Sequence, residues 1–383
     1  MPSPNPISSN LARLRSAAGL TQIELAEASG LSRLALGRIE RGLVTPRAST
    51  LERLAEALEV SLQQLVAPAR RLGRVRFRAD KVIQAREAIL ADVADWLDGY
   101  AEVEAALGDE RPCDLLQRPS RGTRVKRRRP DPVKEASRVR VALGIHDDPV
   151  RDISGLLEAH GVKLLRLVRT TDTFFGLSVG PRDGGPAVVV NTWERISVER
   201  WIFSAAHELG HLVLHMDGDA FETDDSVERD DEEREADVFA SHLLMPEGLF
   251  AREWDETAGL ALLDRVLKVK RIFRVSYKTV LHRLVASERA EGGVWRAFQQ
   301  QHKRRYGSTL RKVDEPNRMT ESDFGWNRAD EPERLSPSDF VEDRLHRLVR
   351  RAFEQGSISL GRAAELLRVE REDARQLARD WLD

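Results

Sequence analysis

Trp201-Ile202-Phe203-Ser204-Ala205-Ala206-His207-Glu208-Leu209-Gly210-His211-Leu212-Val213-Leu214-His215 is the stretch around which the rest of the chain is organised. His207 and His211 stand four residues apart, so on a helix both imidazoles share one face and can hold one divalent ion. Glu208, beside the first of them, can face a metal-activated water as general base. Leu209, Leu212, Val213 and Leu214 fill the remaining faces, which leaves the helix apolar except where the metal would sit.

An acidic connection follows, with ten Asp and Glu between Glu222 and Asp237. A second amphipathic helix then begins in Glu233-Arg234-Glu235-Ala236-Asp237-Val238-Phe239-Ala240 and ends at Leu243-Leu244-Met245-Pro246. A glutamate from it can complete a two-histidine, one-carboxylate Zn2+ site with an open position for water. Glu232, Glu233 and Glu235 compete for that place. Ala236, Phe239, Ala240, Leu243 and Leu244 define the buried stripe, and Glu233 borders it and stacks with Asp237. Glu232 shares that face but stands at the ragged acidic start. Glu235 is rotated about 200° from Glu233 and belongs with the solvated face. Glu233 is the expected third ligand, with Asp237 hydrogen-bonding a ligand histidine from behind. His215 would have to reach back about 6 Å along the axis to ligate, so it is read as pocket wall or core.

Together the two helices resemble the ImmA/IrrE family of zinc-dependent peptidases. The resemblance runs through His-Glu-Leu-Gly-His, Leu214-His215, the upstream Glu199-Arg200 and Phe203, and the later Glu-x-x-Ala, Phe-Ala and Leu-Leu-Met-Pro, a span of 48 residues. It too puts the ligand glutamate three residues before the alanine, at Glu233. It further implies a helical cap over 260–285. Within that cap Tyr277 is read as packing and not as an oxyanion donor.

Strand candidates precede the zinc helix at 162–168, 174–179 and 187–191, with Asp183-Gly184-Gly185 as a hairpin turn between the last two. Helices are expected over 133–143 and 150–160. The expectation is a small antiparallel sheet whose edge can hold an extended substrate.

Residues 9–66 read as five short helices. Ser9-Asn10 caps the first, which carries Leu11 and Leu14 inward, and Gly19 stops it. Thr21-Gln22-Ile23-Glu24 opens the second. Ser29-Gly30-Leu31-Ser32 makes the turn, the glycine allowing a positive φ, and Ser32 caps the third, which ends at Arg41-Gly42. Leu51, Leu54, Ala55 and Leu58 mark the fourth, and Leu65 sits in the fifth. Two helices joined by a glycine turn form a helix-turn-helix pattern.

This stretch closely resembles the Cro-type, phage-repressor family through Gly-Leu-Thr-Gln, Ser-Gly-Leu-Ser and Ile39-Glu40-Arg41-Gly42. The resemblance implies that Gln22 binds a backbone phosphate and that Arg33, Leu34 and Arg38 face the major groove. Ser32 completes this DNA-binding set. Each arginine can read a guanine edge and the leucine can touch a thymine methyl. Arg15 and Glu40 match a family pair read as structural. The net charge of residues 1–66 is about +1, so phosphate affinity is modest unless the chain binds its operator as a homodimer.

The whole chain has 383 residues, 41% hydrophobic and 32% charged, which fits two or three soluble domains. Its net charge of −2 conceals basic segments at Arg70 to Lys81 and Arg118 to Arg129 opposite the acidic connection. The single cysteine, Cys113, fits a reducing compartment, no apolar run approaches a membrane span, and no signal-peptide pattern opens the chain, so a cytoplasmic location is expected. Val75-Arg76-Phe77-Arg78 suggests a short strand, and 81–107 a long helix. Residues 307–336 read as an irregular connection, with amphipathic helices over 338–355 and 360–381 forming a small docking or dimerisation module.

The expected fold class is α+β, predominantly helical. It comprises a five-helix DNA-binding domain (1–68), a helical connector and basic linker (69–130), a zincin-like peptidase domain (131–290) and a helical extension (291–383). The expected function is a DNA-binding regulator with a zinc-dependent endopeptidase that cleaves a regulatory protein such as a repressor. The rival is a regulator, antitoxin-like or otherwise, whose peptidase fold is a non-catalytic sensor. The intact Glu208 argues against the rival, because a structural zinc site needs no base.

Overall fold

The computed structural model describes residues 6–18, 20–58, 60–66, 72, 75–79, 86–117, 130–171, 173–215, 230–311, 313–319 and 334–382. The basic stretch from Arg118 to Arg129 and the first part of the acidic connection, 216–229, lie outside them. Residues 1–72 and 82–98 form one compact unit, and residues 73–81 and 99–383 the other.

The first unit holds α1 (Pro6–Ala17), α2 (Gln22–Ala28), α3 (Arg33–Glu40), α4 (Ala48–Ala57) and α5 (Leu62–Val66). Thr21 and Glu24 form a capping box at α2, and Ser32 accepts the Ala35 N–H at the start of α3; such a cap is worth about 1 kcal/mol. Between them Gly30 takes φ +66°, a value that disfavours a side chain. Leu11, Leu25, Leu36, Leu54 and Leu65 are fully buried in one core, each contributing about 1.5–3 kcal/mol over exposure. The first helix starts at Pro6, ahead of the Ser9-Asn10 cap that the sequence suggested. Asn10 is buried inside it and donates to the Leu65 carbonyl of α5 at 3.1 Å. That tertiary bond outweighs the residue's preference for a cap.

In the second unit β1 (Val75–Ala79) is followed by α6 (Arg86–Leu107), whose first turns belong to the other unit. Then come α7 (Pro132–Ala142), α8 (Ile153–Ala159), β2 (Lys163–Leu167), β3 (Phe174–Val179) and β4 (Ala187–Asn191). The sheet order is β1-β3-β4-β2. The expected hairpin between β3 and β4 is present and antiparallel, but β2 and β4 run parallel, so the sheet is mixed and not antiparallel throughout. The reason is topological. β3 does not fold back beside β2; β4 inserts between them and takes the direction of β2. Ala187-Val188-Val189-Val190-Asn191 is buried along its whole length, as a central strand covered on both faces requires.

The sheet is covered by α9 (Val198–His215), beside which lies α10 (Asp230–Leu244). Four acids, Asp230 to Glu233, fill the first turn of α10, where the helix dipole favours negative charge. The helix is therefore formed at Glu232, and the ragged start expected there is not observed. α11 (Glu247–Asp255), α12 (Leu262–Phe273), α13 (Tyr277–Ala286) and α14 (Val294–Tyr306) complete one continuous apolar core with α9 and α10. Tyr277 is buried and stacks on Phe298 at 5.1 Å, a packing role.

Residues 307–311 and 313–319 contain neither helix nor strand. After them come α15 (Arg344–Glu354), α16 (Leu360–Leu367) and α17 (Arg371–Leu382). The helix expected over 360–381 is thus two, broken where Arg368 turns to φ +56°. Glu158 of α8 accepts the N–H groups of Asp343 and Arg344 at 3.0 Å each, and the buried Arg344 bonds the Tyr100 hydroxyl and Glu104. Among the described residues, no helix is long and apolar enough to cross a membrane.

Candidate metal centre and nucleic-acid face

α9 is buried from Trp201 to Leu214 on nearly every face because the sheet lies under one side and α10 along another. Gly210 sets the distance to α10. A methyl group there would stand 3.0 Å from Phe239 Cδ1 and 3.3 Å from the Ala236 Cα, closer than side chains normally pack. Gly176 does the same for the sheet, since a methyl on it would stand 3.1 Å from Glu208 Oε1. Glycine at these two positions lets the helix sit down on β3 and lets α10 come up to the histidines.

His207, His211 and Glu233 converge, each offering one ligand atom within 4.8 Å of the others. Glu233 places one carboxylate oxygen 2.8 Å from His211 Nε2 and the other 3.2 Å from His207 Nε2, and the two Nε2 atoms are 3.0 Å apart. Behind them, His207 Nδ1 meets Asp237 Oδ1 at 2.8 Å. His211 Nδ1 meets His215 Nδ1 at 3.1 Å, and His215 Nε2 meets Glu235 Oε2 at 2.9 Å.

One tautomer set satisfies the three contacts behind the rings. His207 donates Nδ1–H to Asp237, His211 donates Nδ1–H to His215, and His215 donates Nε2–H to Glu235. Both remaining Nε2 atoms then present lone pairs toward the Glu233 carboxylate. Burial holds the His211 imidazole down at about 3, so it is neutral at pH 7. Two neutral imidazoles and one carboxylate, oriented from behind, are the donor set that suits a divalent zinc-type cation.

Glu208 is fully buried on the sheet side of α9, beside Gly176. Asp237 is on the same flank of α10 as Glu233. Glu235, by contrast, does not belong to a solvated face: it is half-buried and held to α9 through His215. The sequence pattern missed this dyad because helical rotation separates Glu235 from Glu233. The side chain is long enough to reach α9 from the other flank, and His215, one turn after His211, was the available signal.

In the first unit, Arg33, Leu34 and Arg38 are exposed on α3, with Leu34 at 72% exposure, while Leu36 and Ile39 hold the helix to the core. Arg15 pairs with Glu40 at 2.6 Å, as the family pattern implied. Gln22 joins that pair, its Nε2 donating to Glu40 Oε2 at 2.6 Å, so its amide is positioned by the ion pair. Ser32 is engaged as the cap of α3.

Comparison with known proteins agrees with both halves. Residues 158–285 match the M78 peptidase family described as the IrrE N-terminal-like domain, and residues 11–65 match the helix-turn-helix family. An uncharacterized HTH-type transcriptional regulator from Sinorhizobium fredii is 48% identical over 62 residues, which is 16% of this chain and 80% of that protein. The chain belongs to the HTH-type transcriptional regulators, and joins their DNA-binding domain to an IrrE N-terminal-like, M78-family domain with a metallopeptidase-like fold.

Proposed function

We propose that this regulator binds its operator as a homodimer and is a zinc-dependent endopeptidase acting in the cytoplasm on a regulatory protein, such as a repressor. The observation that carries the reading is the convergence of His207, His211 and Glu233 next to a buried glutamate on the same helix. Held by those three residues, Zn2+ would supply a Lewis acid that polarises a peptide carbonyl and lowers the pKa of water. Glu208 takes a proton from water on a carboxylate oxygen as the water oxygen adds to the peptide carbonyl carbon, and delivers it to the nitrogen as the C–N bond breaks. Asp237 fixes the ring of His207, and His215 with Glu235 fixes that of His211. At the other end of the chain, Arg33, Leu34 and Arg38 read bases, and Ser32 and Gln22 position α3 on the backbone.

The deciding experiment is Glu208→Gln in the full chain. About one zinc per chain is expected to remain while cleavage is lost, because the residue is a base and not a ligand. A partner captured by this variant and cut by the wild type establishes the peptidase. A captured partner that the zinc-loaded wild type never cuts leaves the non-catalytic sensor.

A further inference from the structure

β3 is the strand on which Glu208 rests, through Gly176. One side of β3 is paired with β4 and the other with β1. β2, β3 and β4 lie inside the segment that matches the peptidase family, 158–285, whereas β1 lies far upstream of it. The family's own sheet would therefore end at β3, with the row of N–H and C=O groups beside Glu208 open. An open edge of this kind binds an extended peptide by adding it as a further strand.

β1 fills that edge, and fills it as a peptide would. It runs antiparallel to β3, with Val75 opposite Val179, Arg76 opposite Ser178, Phe77 opposite Leu177 and Arg78 opposite Gly176. The ladder slips immediately after Arg78, so that Ala79 pairs with Phe174 and the register skips Phe175. Regular pairing thus ends at the residue that cradles Glu208. The sequence Val75-Arg76-Phe77-Arg78-Ala79 alternates apolar and basic residues, and its neighbours at 72 and 82 both belong to the unit that holds the DNA-binding helices.

We propose that the edge of β3 away from β4 is the peptide-binding edge of this chain and that β1 is its intramolecular occupant. An extended peptide of the same alternating apolar and basic character pairs beside Glu208 only after β1 leaves. The proposal rests on the peptidase reading for the fate of the bound peptide, and not for its binding. Because β1 is tethered, its effective concentration at the edge is on the order of millimolar, so a free peptide competes poorly until the tether changes. The covalent link on both sides to the DNA-binding unit gives operator or partner binding a means of shifting that balance.

The test uses the full-length, zinc-loaded chain carrying Glu208→Gln, so that the probe stays intact. The probe is a fluorescein-labelled synthetic peptide with the sequence of residues 73–81, followed by anisotropy. N–H groups alternate in direction along a strand, so one of Arg76→Pro and Phe77→Pro removes an N–H that β1 donates to β3. At least one of these variants is expected to bind the probe about tenfold or more tighter than its parent, which corresponds to β1 being docked about 90% of the time. Unchanged affinity in both, with zinc content and circular dichroism equal to the parent, overturns the proposal.

A second pair of changes, Val75→Cys with Val179→Cys in a Cys113→Ser background, does not depend on breaking the strand. The oxidised form is expected to bind no probe and the reduced form to regain parental binding. Equal binding by both forms overturns the proposal. With Glu208 restored, probe bound by the proline variants but never cut supports the edge assignment and removes the peptidase reading. Probe cut equally fast by the parent and the proline variants overturns the role of β1 and keeps the peptidase.

Discussion

The Nε2 of His215 stands 2.9 Å from Glu235 Oε2, and this pair lies directly behind His211. Loss of either partner frees the His211 ring and its tautomer, an effect that costs metal sites about 10–100-fold in affinity. Glu235→Ala and His215→Ala are each expected to weaken Zn2+ binding to that extent, whereas Glu233→Ala, which removes the proposed third ligand, should cost more. A zinc titration of the three variants ranks them. Glu235→Ala binding as tightly as the wild type would return Glu235 to the solvated face that the sequence alone suggested.

Gly210→Ala sets two effects against each other. The exchange favours an isolated helix by about 1 kcal/mol, but overpacking of a well-filled interface costs about 1–3 kcal/mol. The nearest atoms are the Phe239 ring and the Ala236 backbone, and backbone cannot turn aside. The expected outcome is a net loss of stability together with weaker zinc binding, since α10 carries Glu233 away with it. Thermal unfolding with and without Zn2+ checks both.

Arg38 and Gln22 differ in what they touch, and their variants should differ in kind. Arg38 is exposed on α3, and Arg38→Ala is expected to cost about 1–3 kcal/mol at the operator and to relax preference at one base pair. Gln22 is tied to Glu40, so Gln22→Ala should weaken all DNA sequences alike and destabilise the domain by about 1 kcal/mol. Gel-shift competition against scrambled DNA separates them.

Glu315 supplies a pH signature. Burial pushes its carboxyl from 4.5 to about 7, against the nearby Lys270 ammonium, with Glu199 adding to the rise. Between those values the folded chain keeps a proton that the unfolded chain has lost, so the stability tied to this group falls as pH rises from 4.5 to 7. Glu315→Gln keeps an acceptor for the Tyr277 N–H and leaves Lys270 paired with Glu199. Urea midpoints at pH 5 and pH 8 should show the wild type losing ground to the variant at the higher pH. Parallel shifts in the two proteins would remove Glu315 as the source.

Sequence by itself determined the elements whose causes are local. Ser32 and the Thr21–Glu24 box cap the helices that follow them, Gly30 permits its turn, and a four-residue histidine spacing puts two imidazoles on one helical face. Those patterns were enough to place both domains and the His207–His211 pair. Tertiary structure decided whatever depends on which element lies beside which. It set β4 between β2 and β3 and made the sheet mixed. It turned Glu235 toward His215, although helical rotation points it away from Glu233. It also laid β1 along β3, beside the strand residue that holds Glu208. Spacing along a chain fixes faces and turns, but the partner of a face is chosen by packing among segments that the sequence keeps far apart.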